Sequence, residues 1–273
     1  MTYDLNLGIV IVTYNSGAVL ASCLQAMGPE LHPNVLIVDN DSRDETVAIA
    51  RSYGIRTLRQ MKNIGFGQAA NSGAQALETR FLCFLNPDCK AERDFFYEGV
   101  NPLQKQRSCC AVPKYIHERG STISGAQPGY TRLKLFADMI YSNCGCFEIY
   151  RSMERLPGFH DMSWLWPYGA SFFIERETFF KIKGFSKRYF MYMEDVAIGL
   201  ELYRIGGRII EFESKVEHLA REGSDIGKLQ RRRLLNRARC YYAREQYGLL
   251  FALLMRFIGL SAEFLQWLIR NHR

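Results

Sequence analysis

Short apolar runs alternate with amphipathic stretches along the first third of the chain. Leu7–Val12 is continuous and mostly β-branched, and Val35–Val38 and Phe81–Leu85 are two further runs. Runs of this length suit strands buried on both faces. Between them lie segments with helical spacing, roughly Ala18–Met27, Glu45–Tyr53 and Gln68–Leu77. Ser42 stands three residues before Glu45, a capping-box spacing that marks a helix start. This alternation predicts an α/β fold, a mostly parallel sheet flanked by helices. Such sheets bind ligands beyond the carboxyl ends of their strands.

Residues from about 114 to 160 lose this regularity. Gly125, Pro128, Gly129, Pro157 and Gly158 interrupt aromatic and charged residues, and the segment reads as irregular with short helix or hairpin. Order returns at Trp164–Glu175, where Gly169–Ile174 reads as a buried strand. Thr178–Ile182 suits a helical turn, Glu194–Ile205 a helix stopped by Gly206-Gly207, and Arg208–Phe212 a last strand. There is no internal repeat and no low-complexity tract.

The strand ends carry the chemistry. The first run breaks into Thr13-Tyr14-Asn15-Ser16, the second into Asp39-Asn40-Asp41-Ser42 and the third into Asn86-Pro87-Asp88. Each alone is ordinary turn and cap composition. Together they deliver polar, mostly acidic groups to one sheet edge, which favours a site. Gly65-Phe66-Gly67-Gln68-Ala69-Ala70 also fits the G-x-G-x-x-A dinucleotide pattern. It follows the mostly polar Ile55–Lys62 and falls in the third strand–helix unit, whereas a dinucleotide fingerprint belongs after the first buried strand. A nucleotide-binding oxidoreductase is therefore the weaker reading.

Composition narrows the classes further. With 48% hydrophobic and 23% charged residues in 273, the chain is ordinary globular material, not disordered, collagen-like or coiled-coil. The net charge of +7 is uneven: residues 1–220 hold 24 basic and 24 acidic side chains, and the tail holds the whole excess. A protein coating nucleic acid is disfavoured by that neutral bulk, and no nucleic-acid partner is expected. Eight cysteines occur without a C-x-x-C, so their spacing predicts no zinc site. No signal peptide is read before Leu7, and reduced thiols in a cytoplasmic setting are expected.

Ile9–Asn15 (IVIVTYN), then Val38–Ser42 (VDNDS), resembles the opening of a family 2 glycosyltransferase with the GT-A fold. Asn63–Gly67 with Asn71 resembles the next segment of that family. Phe84–Asp88 (FLNPD) resembles the form its metal-binding D-x-D motif takes in rhamnosyltransferase-like members. Gly169-Ala170-Ser171, Gly184-Phe185 and Phe190–Asp195 resemble the acceptor and catalytic-base segment, and Val216-Glu217-His218 the late histidine. The motifs keep their order over residues 7–224. Relatives commonly continue the Glu-Asp pair with a further Asp and then an Arg; this chain has Ala197 and Glu201 there.

The resemblance implies inverting transfer of a sugar from a nucleoside-diphosphate donor to a hydroxyl. It implies Mg²⁺ or Mn²⁺ at Asp88, with Asn86 ligating by its amide oxygen or through water and His218 reaching metal or diphosphate. Arg221, Ser224 and Lys228 are further candidates to cover the diphosphate. Asp195 becomes the general base, at a helix start that favours its ionised form, with Glu194 positioning it or touching the acceptor. Thr13, Tyr14 and Asn15 would contact base and ribose, Asp39 would accept the imide N–H and Asp41 would meet the ribose. Gly65, Gly67 and Asn71 would border the nucleotide. Trp164, Trp166 and Tyr168, beside Gly169 and Ala170, form a sugar wall or else core. The subgroup implies dTDP-rhamnose as donor and a polyprenyl-linked saccharide as acceptor in bacterial surface polysaccharide synthesis; a UDP-hexose donor is the sister reading.

The tail adds a partner. Arg221–Arg244 holds eight basic residues against Glu222 and Asp225, and an apolar stretch, Gly248–Ile269, follows. A spanning helix would place Arg256 and Glu263 at bilayer depth, which disfavours it. The stretch therefore packs on the domain, packs on a second copy in a homodimer, or lies in a membrane interface. The adjacent cations favour peripheral binding to anionic bilayers through residues 228–270, on the cytoplasmic face of the inner membrane. The expected division is a GT-A domain over 1–220, with halves meeting near 113, and a basic helical arm over 221–273.

Overall fold

The computed structural model describes residues 5–116, 122–145, 147–219 and 227–271. Its elements run β1 (Leu7–Thr13), α1 (Gly17–Met27), β2 (Val35–Asp39), α2 (Thr46–Ser52), β3 (Arg56–Arg59), α3 (Phe66–Gln75), β4 (Phe81–Leu85), β5 (Cys89–Lys90) and α4 (Arg93–Lys105). There follow β6 (Cys109–Ile116), β7 (Thr122–Ser124), β8 (Ala126–Tyr130), α5 (Arg132–Cys144), α6 (Phe147–Glu154), β9 (His160–Pro167), β10 (Ser171–Glu175) and α7 (Arg176–Lys181). The last are α8 (Glu194–Arg204), β11 (Arg208–His218), α9 (Lys228–Tyr247) and α10 (Leu249–Asn271).

The main sheet has the order β3-β2-β1-β4-β10-β6-β11-β5, with β7 added to β6. β3, β2, β1 and β4 are mutually parallel, and β10 enters antiparallel between β4 and β6. Period-two alternation sorts the apolar strands onto two cores. Leu7, Ile9 and Ile11 face one with Leu20, Leu24, Phe95 and Phe96; Val10 and Val12 face the other with Ala69, Ala70, Phe179 and Ile198. Helices thus cover both faces there, so the inner strands β1, β2 and β4 read as apolar runs.

The chain divides into two compact units. The first comprises residues 1–127, 165–187 and 194–225; the second comprises 128–164, 188–193 and 226–273. This departs from the expected division at 220. The basic arm is the larger part of a helical unit that also takes in the segment expected to be irregular. Within that unit α9 and α10 pack on α5. Arg239 is buried, donating to the Asp138 carbonyl at 2.8 Å and to Ser142 Oγ at 2.7 Å. Asn143 and Asn236 exchange side-chain hydrogen bonds at 3.2 and 3.0 Å. Arg239 is thus an internal ion-pair partner and not a headgroup contact.

Two smaller corrections bear on the site. The helix expected from Glu45 begins at Thr46, and Ser42 does not cap it. Asp44 does that work, accepting the Thr46 N–H at 3.1 Å on one oxygen and the Gly17 N–H at 2.9 Å on the other. Burial alone would raise its carboxyl, but these hydrogen bonds and one from the Thr46 hydroxyl hold it below the usual range. The last strand runs to His218 rather than ending near Phe212. It continues past a register shift between Glu211 and Lys215 and gains β5 as a second neighbour.

Candidate active site

The ends of β1 and β2 meet at one edge. Thr13 is fully buried and its hydroxyl donates to Asp39 Oδ1 at 3.2 Å. The other Asp39 oxygen accepts the Ser42 N–H at 3.2 Å and lies 3.7 Å from Arg59 Nε. Thr13, an expected nucleotide contact, therefore acts on Asp39 from behind. Tyr14, Asn15 and Asp41 are half-buried, and Asn15 and Asp41 hold left-handed φ values of 50° and 71°. Asn15 keeps that conformation by donating to Ser42 Oγ at 2.9 Å and accepting the Arg43 N–H at 2.8 Å. Arg59, on the polar edge strand β3, offered no motif by which to be noticed.

The glycine pair sits at the head of α3. Gly65, with φ 86°, is its N-cap residue, and its N–H goes to Asn63 Oδ1 at 3.0 Å. A Cβ on Gly67 would lie 2.9 Å from Phe185 Cβ, so that glycine permits close packing. Asn71, an expected donor contact, spends both amide ends on the Phe185 backbone, at 2.8 and 2.9 Å. It fastens the Gly184-Phe185 loop to α3.

At the β4 end, Asn86 donates its N–H to the Ala170 carbonyl at 2.8 Å and accepts the Cys89 N–H at 3.1 Å, closing the turn that carries Asp88. Asp88 is 4% exposed, and its Oδ1 lies 3.4 Å from His218 Nε2. Cys89 and His218 are direct partners in the β5–β11 pair, which is what brings this remote histidine to the turn. A carboxylate oxygen and an imidazole nitrogen at this spacing fit a divalent cation.

Asp195 lies at the first turn of α8. Its Oδ2 accepts the Gly169 N–H at 3.1 Å and its Oδ1 the Val196 N–H at 2.8 Å. A Cβ on Gly169 would stand 2.8 Å from Asp195 Oδ2, so only glycine lets the turn backbone donate there. Burial raises both carboxyls of the pair. Asp195 is held above the ordinary range despite its two N–H donors, and Glu194 further still, because the Asp195 charge adds to its burial. Burial outweighs the helix start, which alone points the other way. Among the described residues, Glu194 Oε2 has no hydrogen-bond partner.

Tyr115, on β6, was silent in the sequence. Its hydroxyl lies 2.7 Å from the Ser171 carbonyl and 3.2 Å from that of Tyr168, and it accepts the Ser171 N–H at 2.8 Å. Burial keeps this phenol protonated. It pins the 168–171 turn, which serves Asp195 through Gly169 and the Asp88 turn through Ala170. Tyr168 is 37% exposed, and its ring stacks edge-on to Tyr115 and His218. Trp164, Trp166 and Ala170 are buried, so they are core and not an open sugar wall. Glu201 pairs with Arg204 in the next turn of α8. Arg221 and Ser224 lie outside the described residues, and Lys228 opens α9 in the second unit.

The chain is 27% identical over 220 residues to an N-acetylglucosaminyl-diphospho-decaprenol L-rhamnosyltransferase of Mycobacterium tuberculosis, covering 73% of this chain and 71% of that one. Its fold matches GalNAc-T7, solved with UDP, GalNAc and Mn²⁺, at TM-score 0.56 and 19% identity, over 78% of this chain and 43% of that chain. It matches glucosyl-3-phosphoglycerate synthase from Mycobacterium tuberculosis, solved with Mn²⁺, UDP and glucosyl-3-phosphoglycerate, at TM-score 0.53 and 16% identity, over 79% and 72%. The fold is of the GT-A type, with two further helices, α9 and α10, at its C-terminal end. The glycosyl transferase family 2 model matches residues 8–198, from β1 into α8. This chain belongs to glycosyl transferase family 2.

Proposed function

We propose that this enzyme transfers a sugar, L-rhamnose from dTDP-rhamnose, to a hydroxyl of a polyprenyl-linked saccharide, with inversion at the anomeric carbon. The observation that carries the reading is the 168–171 turn. Its Gly169 N–H holds Asp195, and its Ala170 carbonyl takes the Asn86 N–H beside Asp88. One rigid turn therefore sets the distance between a base and a cation site. The Mycobacterium tuberculosis relative, an L-rhamnosyltransferase by name, supports the donor and acceptor classes.

Asp195 takes the acceptor proton as the hydroxyl oxygen bonds to the anomeric carbon. The bond from that carbon to the diphosphate breaks, and the proton then passes from Asp195 to water. A carboxyl raised by burial is a better base than an exposed one while still ionised near neutrality. Asp88 and His218 would hold Mg²⁺ or Mn²⁺, which when bound stabilises the charge developing on the diphosphate. In this reading Tyr14, Asn15 and Asp41 border the nucleoside and Asp39 accepts its imide N–H. Tyr168 offers its ring to a sugar.

The second unit supplies membrane contact in this reading. Leu250, Leu253, Leu254, Phe257 and Leu260 recur at helical spacing on α10 and are exposed, Leu250 by 85% and Phe257 by 69%. Arg233, Arg237 and Arg244 recur along an exposed stripe of α9. No helix among the described residues is long and apolar enough to cross a membrane. An amphipathic surface with cations beside it suits the face of an anionic bilayer.

A panel of dTDP- and UDP-sugars with Mg²⁺ or Mn²⁺ tests the donor. A ligand binding only the folded chain raises its melting temperature by mass action. dTDP-rhamnose should give the largest shift and support transfer; a larger shift with a UDP-hexose would replace it by the sister reading.

A further inference from the structure

Cys89 completes a donor set that neither the motif nor the cysteine spacing announces. It is fully buried, next to Asp88 and directly opposite His218 in the antiparallel β5–β11 pair. Directly opposed residues project to the same side, with Cβ atoms about 4.5–5.5 Å apart. One ligand atom from each of Asp88, Cys89 and His218 lies within 4.8 Å of the other two. Mg²⁺ demands hard oxygen ligands in near-octahedral array. Carboxylate, sulfur and imidazole together are the mixture that Zn²⁺ accepts.

We propose that Cys89 is a third protein ligand at this site, which binds Zn²⁺ or Co²⁺ in the absence of any sugar donor and in competition with Mg²⁺ or Mn²⁺. The proposal rests on the reading of Asp88 and His218 as cation ligands. Bonds of about 2.0–2.3 Å place tetrahedral ligands roughly 3.3–3.8 Å apart, so the triad must contract by about 1 Å. The thiol now donates to the Ala170 carbonyl at 3.5 Å, and its proton passes to solvent as the sulfur–metal bond forms. Three protein ligands leave a tetrahedral ion one open position, fewer than an octahedral ion shares with diphosphate and water. Zn²⁺ is therefore expected to antagonise turnover supported by Mn²⁺.

Cobalt titration of the full-length protein, without donor or acceptor, tests this. A thiolate-to-cobalt charge-transfer band should grow in the near ultraviolet and saturate at one equivalent. Cys23→Ser, which alters another buried thiol, should keep the band. Cys89→Ala and Cys89→Ser should lose it, with circular dichroism confirming the fold of each. Zn²⁺ affinity, read by competition with a chromophoric chelator, should fall more than roughly tenfold in Cys89→Ala, exceeding what loss of a ligand's hydrogen-bond partner costs at the low end. Cobalt binding without the band, a band that survives in both Cys89 variants, or no cobalt binding would overturn the proposal. Sugar transfer enters none of these readouts, so failure of the proposed reaction is recognised separately, by the donor panel.

Discussion

Two carboxylate stations belong to the same unit and are built to opposite ends. At the β4–β5 turn, Asp88 faces the His218 imidazole at 3.4 Å, with a thiol beside it. At the head of α8, Glu194 and Asp195 sit together, buried, and Asp195 is met by two backbone N–H groups. The first station gathers donors around a place for positive charge. The second buries two carboxyls side by side, so that a proton is retained where an ordinary carboxyl would release it. In the proposed reaction one station serves the leaving group and the other the nucleophile.

A large effect is expected from removing the first station. Asp88→Ala should lower cation-dependent turnover by about 10²–10³, the scale for losing one transition-state stabilising group. Full wild-type activity of the unaltered protein in excess chelator would show that the station holds no working cation. Gly169→Ala attacks the second station through its donor. The added Cβ would stand 2.8 Å from Asp195 Oδ2 and must push it aside. A displacement of about 1 Å can cost 10²-fold in rate, and donor binding should be unaffected. Equal losses of transfer and donor affinity would mean that the turn supports the fold and not the base.

Much of the first unit was legible because its physics is local. Continuous apolar runs such as Leu7–Val12 mark strands buried on both faces, and the residues that end them necessarily reach one edge. Long-range pairing was not legible. The family resemblance alone joined His218 to Asp88, since the two-residue strand β5 that pairs with β11 there is too short for any pattern, and Tyr115 works through backbone atoms of a distant turn. α5 was hidden among glycines and prolines, although Thr131 accepts the Lys134 N–H at 3.1 Å and Gly145 ends the helix at φ 68°. Its apolar residues answer to α6, α9 and α10 on different sides, so no single face stands out. The tail looked like an appendage because its charge is conspicuous, while Arg239 and Asn236, which tie it to α5, look like any other polar residues.

Two smaller effects sharpen the contrast between the units and between the carboxylates. Leu253→Glu with Phe257→Glu should abolish flotation with anionic vesicles at low salt and spare transfer to a water-soluble acceptor. Unchanged flotation would remove α10 from the membrane reading. Glu194→Gln should raise thermal stability. Burial and the Asp195 charge make the folded chain keep a proton that the unfolded chain releases above the ordinary value of 4.5. Stability therefore falls as pH rises from that value to the raised folded one, and the glutamine variant escapes the fall. Its melting advantage should grow across that window, by about 2–4 °C for each kcal/mol relieved. A gain independent of pH would contradict the retained proton.

In the proposed reaction Asp195 takes the acceptor's proton and does nothing for the donor. Asp195→Asn keeps the shape and removes the basic oxygen. Transfer rate and donor-induced melting shift, measured on the same preparation with Mn²⁺, separate the two roles. Transfer should fall by about 10²–10⁴ while the melting shift with the donor stays at the wild-type value. Transfer at the wild-type rate, or a melting shift lost along with transfer, would contradict the account.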